Sequence, residues 1–369
     1  MTKNIVIYDH QAFDLQRFGG VSRYFCEIIR RLRIKRDVSV RFSINYYLNV
    51  WRLSNYHLPL PRFIYKHYKK ACYRKNKELS VHLLQTRKNY IFHPTYYDPY
   101  FLEYIGNSPY VITVHDMIHE KFPGCFDDSH KIIKQKKDVI TRANRIIAIS
   151  ETTKKDIVEL LHINPEKIDV IYHGTSMKPF HGKHKLKLPQ RFLLFIGDRN
   201  PYKNFERFIN IFARLRKKDA DLYVVCTGMD IRQDEKRMFA NLHLSNNIIH
   251  IKATDKELSE LYERATLFVY PSLYEGFGIP ILEAYACHCP IALSNTSCFP
   301  EIAGDAGAFF DPYSEDSMYE TIKKVIYNAE IRNELIKAGN ERLKLYSWEK
   351  ATKATELVYK KIISQQNNE

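Results

Sequence analysis

Two glutamates in the spacing Glu275-x7-Glu283 flank a turn made of Gly276, Phe277, Gly278, Ile279 and Pro280. The run Leu267 to Tyr270 just before it is apolar, β-branched and aromatic, which suits a buried parallel strand, and Pro280 suits the first turn of a helix. Gly276 and Gly278 let backbone pass close to a ligand. The amides of Phe277, Gly278 and Ile279 then lie where a helix N-terminus attracts phosphate. A carboxylate on each side of a phosphate site is suited to hydroxyl groups, because it accepts paired hydrogen bonds from vicinal diols. Ribose diol, diphosphate and hexose hydroxyls in series are the parts of a nucleotide-sugar.

Other residues have the types and positions that such a ligand needs. Arg199 and Lys203 fall in Gly197-Asp198-Arg199-Asn200-Pro201-Tyr202-Lys203-Asn204, between a strand Phe192 to Ile196 and a helix from about Phe205. A planar guanidinium fork beside an ammonium suits a diphosphate. His115-Asp116 follows the buried strand Tyr110 to Val114, and open α/β sheets bind ligands beyond such strand ends. Near the start, Arg17-Phe18-Gly19-Gly20-Val21-Ser22-Arg23-Tyr24 links a strand, Asn4 to Asp9, to a helix, Val21 to Leu32. Its spacing matches neither a dinucleotide fingerprint nor a P-loop lysine motif, which argues against an oxidoreductase or NTPase.

The setting Pro-Ser-x-Tyr-Glu-Gly-Phe-Gly-x-Pro-x-x-Glu-Ala from Pro271 to Ala284 closely resembles the retaining glycosyltransferases of family 4, which have the two-domain GT-B fold. The resemblance implies two Rossmann-like αβα domains facing across a cleft, with a C-terminal helix that crosses back to the first domain. Glu275 would contact the donor hexose, Glu283 the ribose diol, and the amides of Phe277, Gly278 and Ile279 the diphosphate, together with Arg199 and Lys203. Lys252 and Ala253 would hold the base largely through backbone. Gly19 and Gly20 would close over the donor phosphates. His115 would lie by the donor sugar and reaction centre, supported by Asp116, and Arg17, Asp116 and Met117 would serve the acceptor. His115, Glu275, Arg199 and Lys203 are the candidate catalytic set.

The implied activity is metal-independent, retaining transfer of a hexose, with no cofactor besides the nucleotide-sugar. The patterns Gly19-Gly20-Val21-Ser22-Arg23-Tyr24 and Tyr202-Lys203-Asn204 resemble mannosyltransferases of O-antigen and capsule assembly, so GDP-mannose is the expected donor, with UDP-hexoses next. The expected acceptor is a glycan or lipid-linked glycan. A sugar-nucleotide epimerase is a competing class, and a nucleic-acid-binding protein is a non-enzyme alternative.

Length and composition set the frame that positions these residues. A chain of 369 residues suits two α/β domains. The composition shift between Thr175 and Gln190 marks a linker, giving an acceptor domain over residues 1–175 with a returning helix over 348–369, and a donor domain over 176–347. Seven scattered cysteines are expected as reduced thiols; Cys287-His288-Cys289 lacks a second ligand pair with metal spacing. No apolar run approaches the roughly 20 residues that span a bilayer, and the start does not read as a signal peptide, so a cytoplasmic protein is expected.

The net charge of +15 implies an anionic partner. Between Trp51 and Tyr90 ten lysines and arginines face one acid, Glu78, and Pro61 to Leu79 reads as a basic helix with aromatic residues interleaved. Its stretch Arg62 to Lys77 suits either the anionic face of a membrane or a solvated face over core-packing aromatics. The loop from Met117 to Asp128 is expected to be mobile and His93 to be structural.

Overall fold

A computed structural model of the chain describes residues 4–15, 19–34, 38–42 and 62–366. The chain divides into two compact units, Met1–His173 with Trp348–Glu369, and Gly174–Ser347.

The first unit contains β1 (Asn4–Tyr8), α1 (Gln11–Leu15), α2 (Gly20–Arg33), β2 (Val38–Phe42), α3 (Arg62–Thr86), β3 (Tyr90–His93), β4 (Val111–Val114), α4 (Ile118–Lys121), α5 (Ser129–Arg142), β5 (Arg145–Ala148), α6 (Glu151–Leu161) and β6 (Ile168–Val170). All its strand pairs are parallel, in the orders β2-β1-β3 and β4-β5-β6, and a bridge between Phe92 and Tyr110 puts β3 beside the start of β4. Strands buried on both faces need continuous apolar runs, and Ile112, Val114, Ile146, Ile147 and Ala148 supply them.

The unit's last helix in sequence is Trp348–Gln366. Trp348, Ala351, Thr355, Val358, Tyr359 and Ile362 are buried at helical spacing, and the apolar ones share a core with Tyr24, Phe25, Ile28, Ile29 and Leu32 of α2. A hydrogen-bonded chain anchors it. The Tyr359 hydroxyl meets the Tyr8 hydroxyl and, at 2.6 Å, His93 Nδ1, while His93 Nε2 lies 2.9 Å from Thr113 Oγ1. Burial pushes the His93 imidazole down to about 3, so it is neutral, as its structural reading requires.

Two expectations for this unit are corrected. The basic helix does not stop at Leu79 but runs to Thr86, because Cys72, Asn76, Ser80 and Leu84 continue a buried four-residue spacing. The segment Met117 to Asp128, expected as a loop, holds α4 and a 3₁₀ turn, Pro123–Cys125.

The second unit contains β7 (Arg191–Phe195), α7 (Phe205–Arg216), β8 (Leu222–Cys226), α8 (Gln233–Asn241), β9 (Ile248–His250), α9 (Asp255–Arg264), β10 (Leu267–Tyr270), α10 (Ile279–Ala286), β11 (Ile291–Ser294), α11 (Phe299–Ala303), β12 (Ala308–Phe310), α12 (Glu315–Ile326) and α13 (Ala329–Leu343). Its six parallel strands lie in the order β12-β11-β10-β7-β8-β9. The order reverses between β7 and β10, so the connections leaving these neighbouring strands diverge and open a crevice at their C-terminal ends. The ends of β7 and β8 also approach closely. Gly228 has φ +92°, and a Cβ there would lie 2.3 Å from the Gly197 carbonyl oxygen, which only glycine avoids.

Candidate functional site

The crevice of the second unit holds most of the motif residues. Lys203 ends a 3₁₀ turn, Pro201–Lys203, in the connection after β7; Glu275 lies in the connection after β10. Lys203 Nζ contacts the Glu275 carboxylate directly, and each side chain is only 14% exposed. The ammonium also sits 5.2 Å from the centre of the Tyr202 ring and 5.7 Å from that of Tyr270. Burial, and then the Glu275 carboxylate, push the Tyr270 phenol well above its usual value, so it keeps its proton. An ammonium and a carboxylate that neutralise each other are thereby stored where strand ends converge.

Behind them α10 begins. Gly278 takes the left-handed conformation at the N-cap, φ +81° and ψ 54°, and a Cβ there would press to 3.1 Å on Ile281 and 3.3 Å on Phe299. Pro280 follows in the first turn, where its missing N–H costs nothing. Glu283, one turn on, is buried and accepts a hydrogen bond of 3.2 Å from the Tyr262 hydroxyl of α9. Phe277 is buried with its ring edge-on to Tyr346. Lys252, just past β9, is exposed and bonded to Asp230 at 2.7 Å, with Ala253 beside it half-buried.

Arg199 requires a correction. It is 4% exposed and its fork is engaged inside the unit: Nε donates to Glu235 at 2.8 Å, and the two terminal nitrogens donate to the carbonyls of Thr227, Met229 and Asp230. A guanidinium spent in this way clamps the connection after β8 rather than facing a diphosphate. Its sequence position between strand and helix does not reveal the buried Glu235 that claims it.

The candidates of the first unit are placed differently. His115 follows β4, 7% exposed, with its ring edge-on to Tyr24 and Phe25 and its amide donating to the Tyr97 hydroxyl at 3.0 Å. Burial pushes this imidazole down to about 4, and its Nε2 is buried without a hydrogen-bond partner. Asp116 caps Ile118 at 3.1 Å and pairs with Lys136 at 3.3 Å, a lysine of α5 that is 1% exposed. Burial raises the Asp116 carboxyl, but Lys136 and the Ile118 amide outweigh it and hold it below its usual value. Met117, expected at the acceptor, is fully buried in the core with Val139 and Ile140, because an apolar side chain at this turn gains more from the core than from solvent. Gly19 and Gly20 open α2, Gly19 in extended backbone at φ 174°. Arg17 lies outside the described residues.

Reading the sequence missed Tyr262, which holds Glu283, and Lys136, which holds Asp116. Each acts across elements far apart in the chain, and neither has a local spacing that announces it. All seven cysteines are free. Among the described residues no group of three or more His, Cys, Asp or Glu is arranged to hold a metal ion, and no helix is long and apolar enough to cross a membrane.

Two doubly wound parallel α/β units, with a returning C-terminal helix, define the GT-B class. Solved structures agree over nearly the whole chain. Sucrose-phosphate synthase from Thermosynechococcus elongatus matches with a TM-score of 0.74 at 15% identity, covering 99% of this chain and 100% of that one. A glycosyltransferase from Rickettsia africae ESF-5 matches with a TM-score of 0.71 at 17% identity, covering 98% and 99%.

Family models then separate along the same two units: Glycosyltransferase Family 4 matches residues 18–178 and Glycosyl transferases group 1 matches residues 176–342. The chain belongs to glycosyltransferase family 4. Among curated relatives, the O-antigen chain mannosyltransferase RfbU of Salmonella typhimurium is 29% identical over 58% of this chain, and the match spans 60% of that relative's length. The O-antigen chain mannosyltransferase B of Escherichia coli is 26% identical over 92% of this chain and 96% of its own length.

Proposed function

We propose that the chain is a retaining, metal-independent hexosyltransferase that moves mannose from GDP-mannose to a glycan or lipid-linked glycan in cell-surface polysaccharide assembly. The observation that carries the reading is the meeting of Lys203 and Glu275 at the β7/β10 crevice, beside the start of α10. The names of the two relatives favour mannose and O-antigen chains.

In this reading the donor diphosphate takes over Lys203 and the amides that open α10, those of Gly278 and Ile279. Glu275, freed from its lysine, accepts hydrogen bonds from hexose hydroxyls, and Glu283 from the ribose diol. As the glycosidic bond to the diphosphate breaks, Lys203 and these amides oppose the charge that builds on the leaving group, and no metal is needed for that purpose. The acceptor hydroxyl attacks the same face of the sugar, its proton passing toward the leaving phosphate, so no enzyme nucleophile is required. In the first unit the neutral His115, with its unpartnered Nε2, suits a sugar hydroxyl better than a phosphate.

The protein is further read as working in the cytoplasm, peripherally on an anionic membrane through the basic segment 62–77. Supporting this, Tyr68 is 55% exposed and Lys69, Lys70, Arg74 and Lys75 are exposed beside it. The side chains of Arg62, Phe63, Tyr65 and Lys66 lie outside the described residues.

The test is calorimetry and thermal shift with GDP, UDP and ADP, with and without EDTA, on wild type and Glu283→Ala. GDP is expected to stabilise selectively, by about 2.7 kcal/mol at a hundred times its Kd, without regard to EDTA. Glu283→Ala should weaken it at least about tenfold, the cost of a lost charge-assisted pair. Stabilisation by UDP alone would move the donor to a UDP-hexose; none by any nucleotide would refute the reading.

A further inference from the structure

Glu275 lies in a connection, residues 271–278, that belongs to neither β10 nor α10, yet its carboxylate has to keep one orientation to select hydroxyls. What holds it comes from outside the motif. The side chain of Ser297, in the corner between β11 and α11, makes two hydrogen bonds to this one residue: its Oγ accepts from the Glu275 amide at 3.1 Å and donates to the Glu275 carbonyl at 2.7 Å. Both polar groups of the Glu275 backbone are thus satisfied by one hydroxyl, a group that can donate and accept at once.

The corner is built for this contact. Ser297 has φ +57°, the left-handed region, which is costly for a residue with a Cβ and persists only where its surroundings enforce it. Next to it Cys298 and Phe299 are fully buried, and the Phe299 ring packs 4.8 Å from the centre of Tyr270 and under Gly278. At the other end of the connection, the Leu273 amide donates to the Tyr202 carbonyl at 2.7 Å, tying it to the turn that carries Lys203. Tyr270, Glu275 and Gly278 are therefore held at three points, two of them from the 297–299 corner. Threonine would keep the hydroxyl but bring a β-branched side chain into the left-handed region.

We propose that Ser297 is a positioning residue for sugar transfer: it orients Glu275 toward the donor hexose without itself touching the donor. This rests on Glu275 being the hexose contact. The consequence is that Ser297 governs recognition of the sugar and leaves recognition of the nucleoside diphosphate alone.

The experiment uses Ser297→Gly, since glycine accepts φ +57° freely while the hydroxymethyl group that bonds Glu275 is lost. It is combined with Glu275→Gln in a double-mutant cycle. For each variant, kcat, melting temperature, and the Kd values of GDP and GDP-mannose are measured, or of UDP and its sugar if that is the donor. Ser297→Gly is expected to lower kcat at least tenfold and to raise the ratio of sugar-nucleotide Kd to nucleoside-diphosphate Kd at least threefold. The nucleoside-diphosphate Kd should stay within threefold and the melting temperature should hold. In the double variant the ratio should match that of Glu275→Gln, because the hydroxyl acts only through that carboxylate. A Ser297→Gly enzyme with kcat and Kd ratio within twofold of wild type overturns the proposal. So does a joint collapse of nucleoside-diphosphate affinity and melting temperature, which marks a merely structural role. If Glu275→Gln itself keeps wild-type kcat and ratio, the assignment of Glu275 fails first.

Discussion

Replacing Glu275 by glutamine is expected to tighten the binding of nucleoside diphosphate while transfer is lost. The Lys203 ammonium already has a counter-ion in Glu275, and both side chains are 14% exposed, so the pair is partly withdrawn from solvent. Two unit charges about 3 Å apart attract by roughly 1.4 kcal/mol in bulk water and roughly 5.5 kcal/mol at an effective dielectric of about 20. Lost hydration offsets much of this, leaving a net of about 1–2 kcal/mol that an arriving diphosphate must overcome. Glutamine keeps the shape and removes the charge, so Lys203 is left waiting for an anion. The expected gain is about 5- to 30-fold in the affinity for GDP or UDP, measured by calorimetry at low and physiological salt. The gain should shrink as salt rises, since salt screens the attraction between the ammonium and an arriving anion. Transfer should fall at least about a hundredfold, because the hexose loses its carboxylate partner. Unchanged or weaker diphosphate binding in Glu275→Gln would refute the idea that the two groups compete.

Two further outcomes follow from buried charges elsewhere. Arg199→Ala should destabilise the second unit by about 3 kcal/mol, since Glu235 stays buried with only Arg232, 3.4 Å away, to answer it. A direct diphosphate role for Arg199 would instead lower nucleotide affinity and spare the unfolding midpoint. The first unit should lose stability as pH falls below about 6.5. His93, His115 and His173 are all held by burial below their ordinary value, His115 to about 4 and His93 to about 3. Unfolding therefore takes up protons in the window between about 6.5 and 4, at about 1.4 kcal/mol per pH unit for each histidine, and stability returns as pH rises. Urea midpoints from pH 7 to 5 read this slope, and a flat profile would contradict it.

Much of the fold could be read in advance because the cues are local. Buried parallel strands such as Tyr110 to Val114 and Leu267 to Tyr270 announce themselves as short apolar runs. The same holds for the motif around Glu275, whose glycines, proline and carboxylates stand within a few turns of each other. Where a cue needed more than its own neighbourhood, it failed: Met117 was expected at the acceptor, and nothing near it in the chain shows the core it fills.

What the sequence alone determined is the kind of ligand to expect. Carboxylates spaced around a glycine-bearing helix start, with a lysine after another strand, suit hydroxyls and diphosphate by the chemistry of the side chains. Tertiary structure decided which of the candidate groups are available for it. It spent Arg199 on Glu235, paired Lys203 with Glu275, seated Glu283 on Tyr262, and brought Ser297 to the Glu275 peptide. The physical reason is that a charge or a hydrogen bond has a value only in its surroundings, and those surroundings are assembled from strands and helices far apart in the chain.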